Sequence, residues 1–236
     1  DLRRLEEIWA AYVYEGRLDS SVQPAVAECW RKCREAGVDP NGGIGRRVAD
    51  AVFCSIREAN STLMESALPI MQSVFDIVRR TGFLMVLTDS AGYVLETMGD
   101  ESIMERTEDL RFVPGALWSN LSVGTNAISV ALDCDTPIQM VGPEHYCRTH
   151  HSWTCSAAPI HGINGEVIGC FKCPAPPPAP TTTPWPAGSP TATATRPSSR
   201  SCSKSNTATP PPSAGPPAST YADERPTTHP ATDRTT

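Results

Sequence analysis

Residues 174–236 contain no leucine, isoleucine, valine, methionine or phenylalanine. A segment without those side chains cannot bury enough apolar surface to offset its chain entropy, so it is expected to be disordered. It holds 16 of the 23 prolines together with 14 threonines, which marks it as a Pro/Thr-rich tail and sets a boundary near residue 172. The rest of the chain has no apolar run of the ~18 residues that a spanning helix needs, so no membrane partner is expected. The sequence shows no secretory h-region, and nothing in it calls for an oxidising compartment. The nine cysteines are therefore read as free thiols of a cytoplasmic protein. A Gly-x-x-x-x-Gly-Lys-Ser/Thr phosphate loop is missing, which excludes a phosphate-loop ATPase within this chain. A basic excess is missing too. The net charge is −6, and the tail carries five basic and three acidic residues (+2), which leaves −8 for residues 1–173. Direct DNA binding by this chain is not expected. The chain starts at Asp1, as a piece of a longer protein would.

What is present reads as α+β. Leu2, Leu5, Ile8, Trp9, Tyr12 and Val13 recur at helical spacing over residues 2–14. A second helix is expected from Pro24 to Ala36, closed by Gly37 and Pro40. These two form an N-terminal helical segment, residues 1–45. Over residues 46–81, Val52, Ile56, Ala59, Leu63, Ala67, Ile70, Val74 and Ile77 repeat at heptad-like steps. That pattern suits either packing within the domain or a homodimer seam through residues 52–77, with a kink or restart at Pro69. Beyond Gly82 the period shortens. Strands are expected at 83–88, 93–97, 137–141, 156–160 and 166–171, with helices at 101–109 and 123–133. Asp89–Gly92 and Asn164-Gly165 supply hairpin turns.

The chemistry-bearing stretch is 112–171. Gly124-Thr125-Asn126-Ala127 reads as a helix start at which Thr125 or Asn126 caps and backbone N–H groups face a ligand. His145, Cys147, His150, His151, Trp153 and Cys155 then fall within eleven residues, a density that suits a pocket. The residues expected to bind a ligand are Trp118, Asn120, Thr125, Asn126, His145, Cys147, His151 and Trp153, with Cys155 at the edge. The same Cys and His residues have the ligand types for zinc or iron, but their spacing is not that of a finger, and neither metal nor cofactor is expected. A Cys147 or Cys155 thiol beside His145 or His151 is the pattern of a nucleophile or a redox-sensing thiol. No carboxylate is spaced to orient the base, so an enzyme is not expected.

The strings PGALWS and VGTNAI, EHYC followed by WTCSAAPI, and NGEVIG resemble the GAF sensory domain of acetoin-catabolism-type regulators. These belong to the Fis-family sigma-54-dependent transcription activators, whose N-terminal segment the upstream ECWRKCREAGVDP also resembles. The resemblance covers residues 21–171. It implies a GAF-like fold, with a twisted antiparallel sheet, flanking helices and a small-molecule effector pocket, and it places a GAF domain at residues 46–171. It also implies partners that intact relatives use, sigma-54 RNA polymerase and DNA, through ATPase and helix-turn-helix modules not found in this chain. Asn120 stands where that family usually has an acidic residue, Ser129 where it has Gly, and Gly162 where it has Asp. Acetoin, a small diol or an aromatic are the effectors that the resemblance suggests. The alternatives are a thiol or metal redox sensor on the same fold, and a free-standing GAF-type interaction module.

After Phe171 the family pattern continues with an Asn-Val-Ser-Gly-like strand end. Deleting one base from TTC AAC GTG TCC GGC yields Phe-Lys-Cys-Pro-Ala, the sequence of residues 171–175. Read in the shifted frame, Thr181–Pro186 and Arg196–Asn206 are compatible with the His-His-Thr-Leu and Ala-Ile-Glu segments that the family has downstream. Residues 172–236 are accordingly expected to be a frameshift product, which makes Cys170 and Cys173 an accidental pair and the chain a non-working regulator. The rival reading is a genuine linker.

Overall fold

The computed structural model describes residues 2–175. The expected disorder of the tail, and the downstream segments bearing on its reading frame, lie outside the described residues.

Two N-terminal helices, α1 (Leu2–Glu15) and α2 (Pro24–Glu35), begin the fold. Gly16 and Gly37 end them at positive φ, the backbone that glycine adopts without a side-chain penalty. A two-residue strand, β1 (Arg46–Arg47), leads to α3 (Asp50–Ala59) and α4 (Ser61–Val78). The expected break at Pro69 is not there: Pro69 lies within α4, on its exposed side. The chain breaks at Asn60 instead. Its side-chain Nδ2 donates to the Ile56 carbonyl (2.8 Å) and its backbone N–H to the same carbonyl (3.1 Å), closing α3. Asparagine competes locally for helix carbonyls in this way.

The sheet is built from β2 (Leu84–Asp89), β3 (Val94–Gly99), β5 (Ile138–Val141), β6 (Thr154–His161) and β7 (Val167–Ala175). A short β4 (Ala116–Leu117) pairs apart with β1. The five strands lie in the order β3-β2-β7-β6-β5, antiparallel at every pairing, so the fold is α+β. Both expected hairpin turns form. Asp89 Oδ1 accepts from the Ala91 and Tyr93 N–H groups (3.0 and 2.8 Å), and Gly165 takes a positive φ. Strand β7 runs to Ala175, past residue 171, and pairs with β6 along its length. Between β3 and β5 the chain forms α5 (Glu101–Glu108), the one-turn α6 (Asn120–Val123) and α7 (Ala127–Cys134). The helix expected from residue 123 thus starts at Ala127, because Gly124 at positive φ separates the turn from the helix.

Strand side chains alternate between faces, and β2 is apolar on both. Leu84 and Val86 join one core with Trp9, Tyr12 and Trp30 of α1 and α2 and with Ile128, Val130 and Ala131 of α7. Met85 and Leu87 face the other way and meet Leu63, Met64 and Met71 of α4. The first 45 residues therefore share a core with the sheet. Burying each large apolar side chain contributes roughly 1.5–3 kcal/mol. Of the heptad-like seam, Leu63 packs inward, whereas Ile70 is 66% and Ile77 82% exposed, and Val52 and Val74 are exposed as well. The seam is thus divided between the domain's own core and an open helix face.

Candidate functional site

The segment from Gly142 to Trp153 has little regular structure, being two 3₁₀ turns joined by extended residues. Tertiary hydrogen bonds hold it in place. The indole of Trp9 donates to the Tyr146 carbonyl and that of Trp30 to the Glu144 carbonyl, both at 2.8 Å. From the other side, His150 Nε2 donates to the Gly43 carbonyl (2.7 Å) and Thr149 Oγ1 to that of Gly42 (2.7 Å). Gly43 makes this approach possible: a Cβ there would lie 2.6 Å from Thr149 Oγ1 and 2.7 Å from Cys147 Cβ. The loop that carries Gly42 and Gly43 is thus a clamp on His150.

Beneath this segment is a cavity of about 20 Å³, room for about one water molecule. Of the residues put forward from the sequence, Trp118, His145, Trp153 and Cys155 line it. Joining them are Thr107 of α5, Leu110 and Phe112 from the stretch after it, His150, and Lys172 and Pro174 of β7. His150 belongs to the recognised Cys/His cluster. Lys172 carried no signal, because its segment read as the start of the tail. Its ammonium sits over the ring faces of Phe112 (4.3 Å to the centroid) and Trp118 (5.1 Å).

Three buried polar atoms of the wall have no hydrogen-bond partner: Trp118 Nε1, His145 Nε2 and His150 Nδ1. His145 Nδ1 is 2.9 Å from the Gly142 carbonyl and His150 Nε2 is bonded to Gly43. A carbonyl only accepts, so those nitrogens carry the protons, and in the neutral rings the unpartnered nitrogens are bare acceptors. Both rings are held neutral. Burial pushes the His145 pKa well below its ordinary value, and burial carries that of His150 down to about 3, with Lys172 adding to both shifts. The residues around the cavity thus carry an indole donor, a cation and two imidazole acceptors, set behind a surface that is almost wholly apolar.

The other expected ligand residues lie elsewhere. Asn126 caps α7: its Oδ1 accepts from the Ile128 and Ser129 N–H groups (3.0 and 3.4 Å), and its Nδ2 donates to the Gly124 and Trp118 carbonyls (3.0 and 3.3 Å). Those helix-start N–H groups are therefore taken, not turned toward a ligand. Asn120 donates to Asp133 Oδ2 (2.9 Å) and accepts from Ser129 Oγ (2.8 Å), so the two family departures at positions 120 and 129 bond each other. The Thr125 hydroxyl meets Cys33 Sγ at 3.2 Å. Cys147 Sγ donates to the Asp39 carbonyl (3.3 Å), and burial raises its pKa to about 12. His151 is half-buried, edge-on to Trp9, with Nε2 donating to the His145 carbonyl (3.2 Å). Burial also raises Cys155, though Lys172 pulls it partly back. Among the described residues, no group of three His, Cys, Asp or Glu side chains is placed to hold a metal ion.

A family model described as the N-terminal domain of MimR matches residues 9–173. The chain belongs to that family. Among the relatives of this MimR-type domain is the acetoin dehydrogenase operon transcriptional activator AcoR of Bacillus subtilis, 32% identical over 72% of this chain and 29% of its own length. The propane 2-monooxygenase operon transcriptional activator MimR of Mycolicibacterium goodii is 29% identical over 59% of the chain and 23% of its own length. The chain thus spans under a third of either relative. Among solved structures, the Escherichia coli DhaR(N)–DhaL complex matches 65% of the chain and 52% of the solved chain, with a TM-score of 0.63 and 17% identity. That likeness bears on the fold, which is GAF-like as the motifs implied. Among the described residues, no helix is long and apolar enough to cross a membrane.

Proposed function

We propose that this MimR-type domain senses a small molecule in the cavity beneath residues 142–153, as the input part of a longer, cytoplasmic sigma-54-dependent transcription activator. The observation that carries the reading is the set of unpartnered Trp118, His145 and His150 nitrogens in a single cavity. Leaving a buried polar group without a partner costs about 1–3 kcal/mol, and a ligand that supplies partners recovers that cost on binding. Bound effector would shift an equilibrium of the domain and alter its hold on an ATPase module elsewhere in the intact protein, which acts with sigma-54 RNA polymerase and DNA. The relatives that are operon activators support this role. DNA contact belongs to such other modules. Dimerisation through residues 52–77 uses the open face that Val52, Ile70, Val74 and Ile77 present.

Two features speak against catalysis. Burial takes the cavity thiol of Cys155 away from thiolate character, and neither cavity imidazole bonds a carboxylate that would orient it as a base. The same upward shift at Cys147 disfavours a redox-sensing thiol at that position. Thermal unfolding against small hydroxylated, carbonyl and carboxylate compounds tests the proposal. A ligand at a hundredfold excess over Kd adds about 2.7 kcal/mol, a rise of roughly 5–10 °C for a domain of this size. Turnover of any compound, with no rise from the panel, overturns it.

A further inference from the structure

Lys172 occupies an unusual position for a cation. The residue is 4% exposed, on the central strand β7, and its ammonium faces aromatic rings. No carboxylate among the described residues forms an ion pair with it: the acidic partners there pair with Arg3, Arg17, Arg31, Lys32, Arg47, Arg79 and His161. A buried charge without a counter-ion is costly, and the aromatic faces together with a hydrogen bond to the Cys155 thiol offset only part of that cost. In the same cavity the Trp118 N–H has no acceptor, and the bare nitrogens of His145 and His150 have no donor.

Each of these groups specifies part of a complementary ligand. The ammonium asks for an anion, and the indole N–H for an acceptor beside it. The imidazole nitrogens ask for a hydroxyl hydrogen, since a carboxylate oxygen would meet them lone pair to lone pair. The cavity as it stands has room for about one water, so a ligand of a few heavy atoms enters only if the wall gives, and the flexible four-carbon stem of Lys172 is the part best able to withdraw. Resting on the sensor reading above, and on the reading in which Lys172 is a native residue of β7 and not the start of a frameshift product, we propose that this cavity takes a small 2-hydroxycarboxylate. Its carboxylate pairs with Lys172 and accepts from Trp118, and its hydroxyl donates to His145 or His150. A neutral hydroxyketone of the same shape leaves the ammonium unpaired.

The test compares glycolate with hydroxyacetone, in which a methyl replaces one carboxylate oxygen, by calorimetric titration of the full chain and of its Lys172→Met and Lys172→Arg variants. Glycolate is expected to bind the unaltered chain at least about tenfold tighter than hydroxyacetone, or about 1.4 kcal/mol. Lys172→Met should abolish that preference and Lys172→Arg should retain part of it. The comparison on the unaltered chain holds even if a variant does not fold. Hydroxyacetone binding as tightly as glycolate overturns the anion assignment and leaves the sensor reading standing. A glycolate preference that survives in folded Lys172→Met also overturns it. Neither probe binding overturns it as well, and the wider panel then decides the sensor reading by itself.

Discussion

Asn126→Ala separates a residue that builds the site from one that touches a ligand. Asn126 is fully buried and makes four hydrogen bonds, accepting from two N–H groups at the start of α7 and donating to the Gly124 and Trp118 carbonyls. The capping box is completed by Ser129 Oγ, which accepts from the Asn126 backbone N–H at 3.1 Å. Loss of an N-cap costs about 0.5–2 kcal/mol. Removing the amide also leaves buried carbonyls short of a donor, at about 1–3 kcal/mol for each group left without a partner. A total of about 2–4 kcal/mol follows, because these losses overlap. At about 2–4 °C per kcal/mol for a domain of this size, thermal unfolding monitored by circular dichroism should fall by roughly 5–15 °C. Asn126→Ser keeps a cap oxygen and should lie between the two. If Asn126→Ala melts within about 2 °C of the unaltered chain and only ligand affinity falls, the capping account is wrong and Asn126 faces the ligand after all.

Lys172→Met should raise the melting temperature in the absence of ligand, because it removes a buried unpaired charge and keeps the volume; a fall of several degrees would show that the ammonium is satisfied within the fold. Stability should decline as pH falls from about 6.5. The unfolded histidines take up protons there while buried His150, with its pKa lowered to about 3, does not. The slope from His150 approaches about 1.4 kcal/mol per pH unit, and a stability flat from pH 7 to 4 would contradict the buried neutral ring. Ile77→Asp should lower the mass seen in sedimentation without changing the monomer's fold, whereas Leu63→Asp should unfold the domain, since Leu63 is buried against the sheet; an unchanged mass for Ile77→Asp removes the seam. At pH 8 a thiol reagent should modify exposed Cys54 within minutes and leave buried Cys147 untouched in the folded chain; rapid labelling of Cys147 would revive the redox reading.

The elements that the sequence made legible are those written in local periodicity and turn chemistry. Helices α1, α2 and α5, the hairpins at Asp89–Gly92 and Asn164-Gly165, and all five sheet strands fall near their expected places. The break at Asn60 was hidden because the apolar pattern runs through it, and Pro69 drew the break to itself although an exposed proline can sit within a helix. For the site, density of Cys and His in one stretch located the wall but not its inner face. Trp118, His145, Trp153 and Cys155 line the cavity, while Cys147 turns toward Asp39 and His151 toward Trp9. Side-chain direction in an irregular segment depends on partners over a hundred residues away, such as Trp9 for Tyr146 and Gly43 for His150. Lys172 was out of reach for another reason: its role follows from strand pairing with Val86 and Ala157, which no local motif encodes.

The central claim is that effector enters the cavity and takes up the unpartnered Trp118 N–H. Its most direct test is the indole ¹⁵N–¹H resonance of Trp118, assigned with a Trp118→Phe variant and followed while glycolate, hydroxyacetone and the hits of the thermal panel are titrated. The account predicts a saturable downfield shift of that resonance by any ligand that stabilises the domain. The indole signals of Trp9 and Trp30, already bonded to the Tyr146 and Glu144 carbonyls, should move far less. A ligand that stabilises the domain while the Trp118 resonance stays still, and signals elsewhere move instead, would place the sensing site outside this cavity.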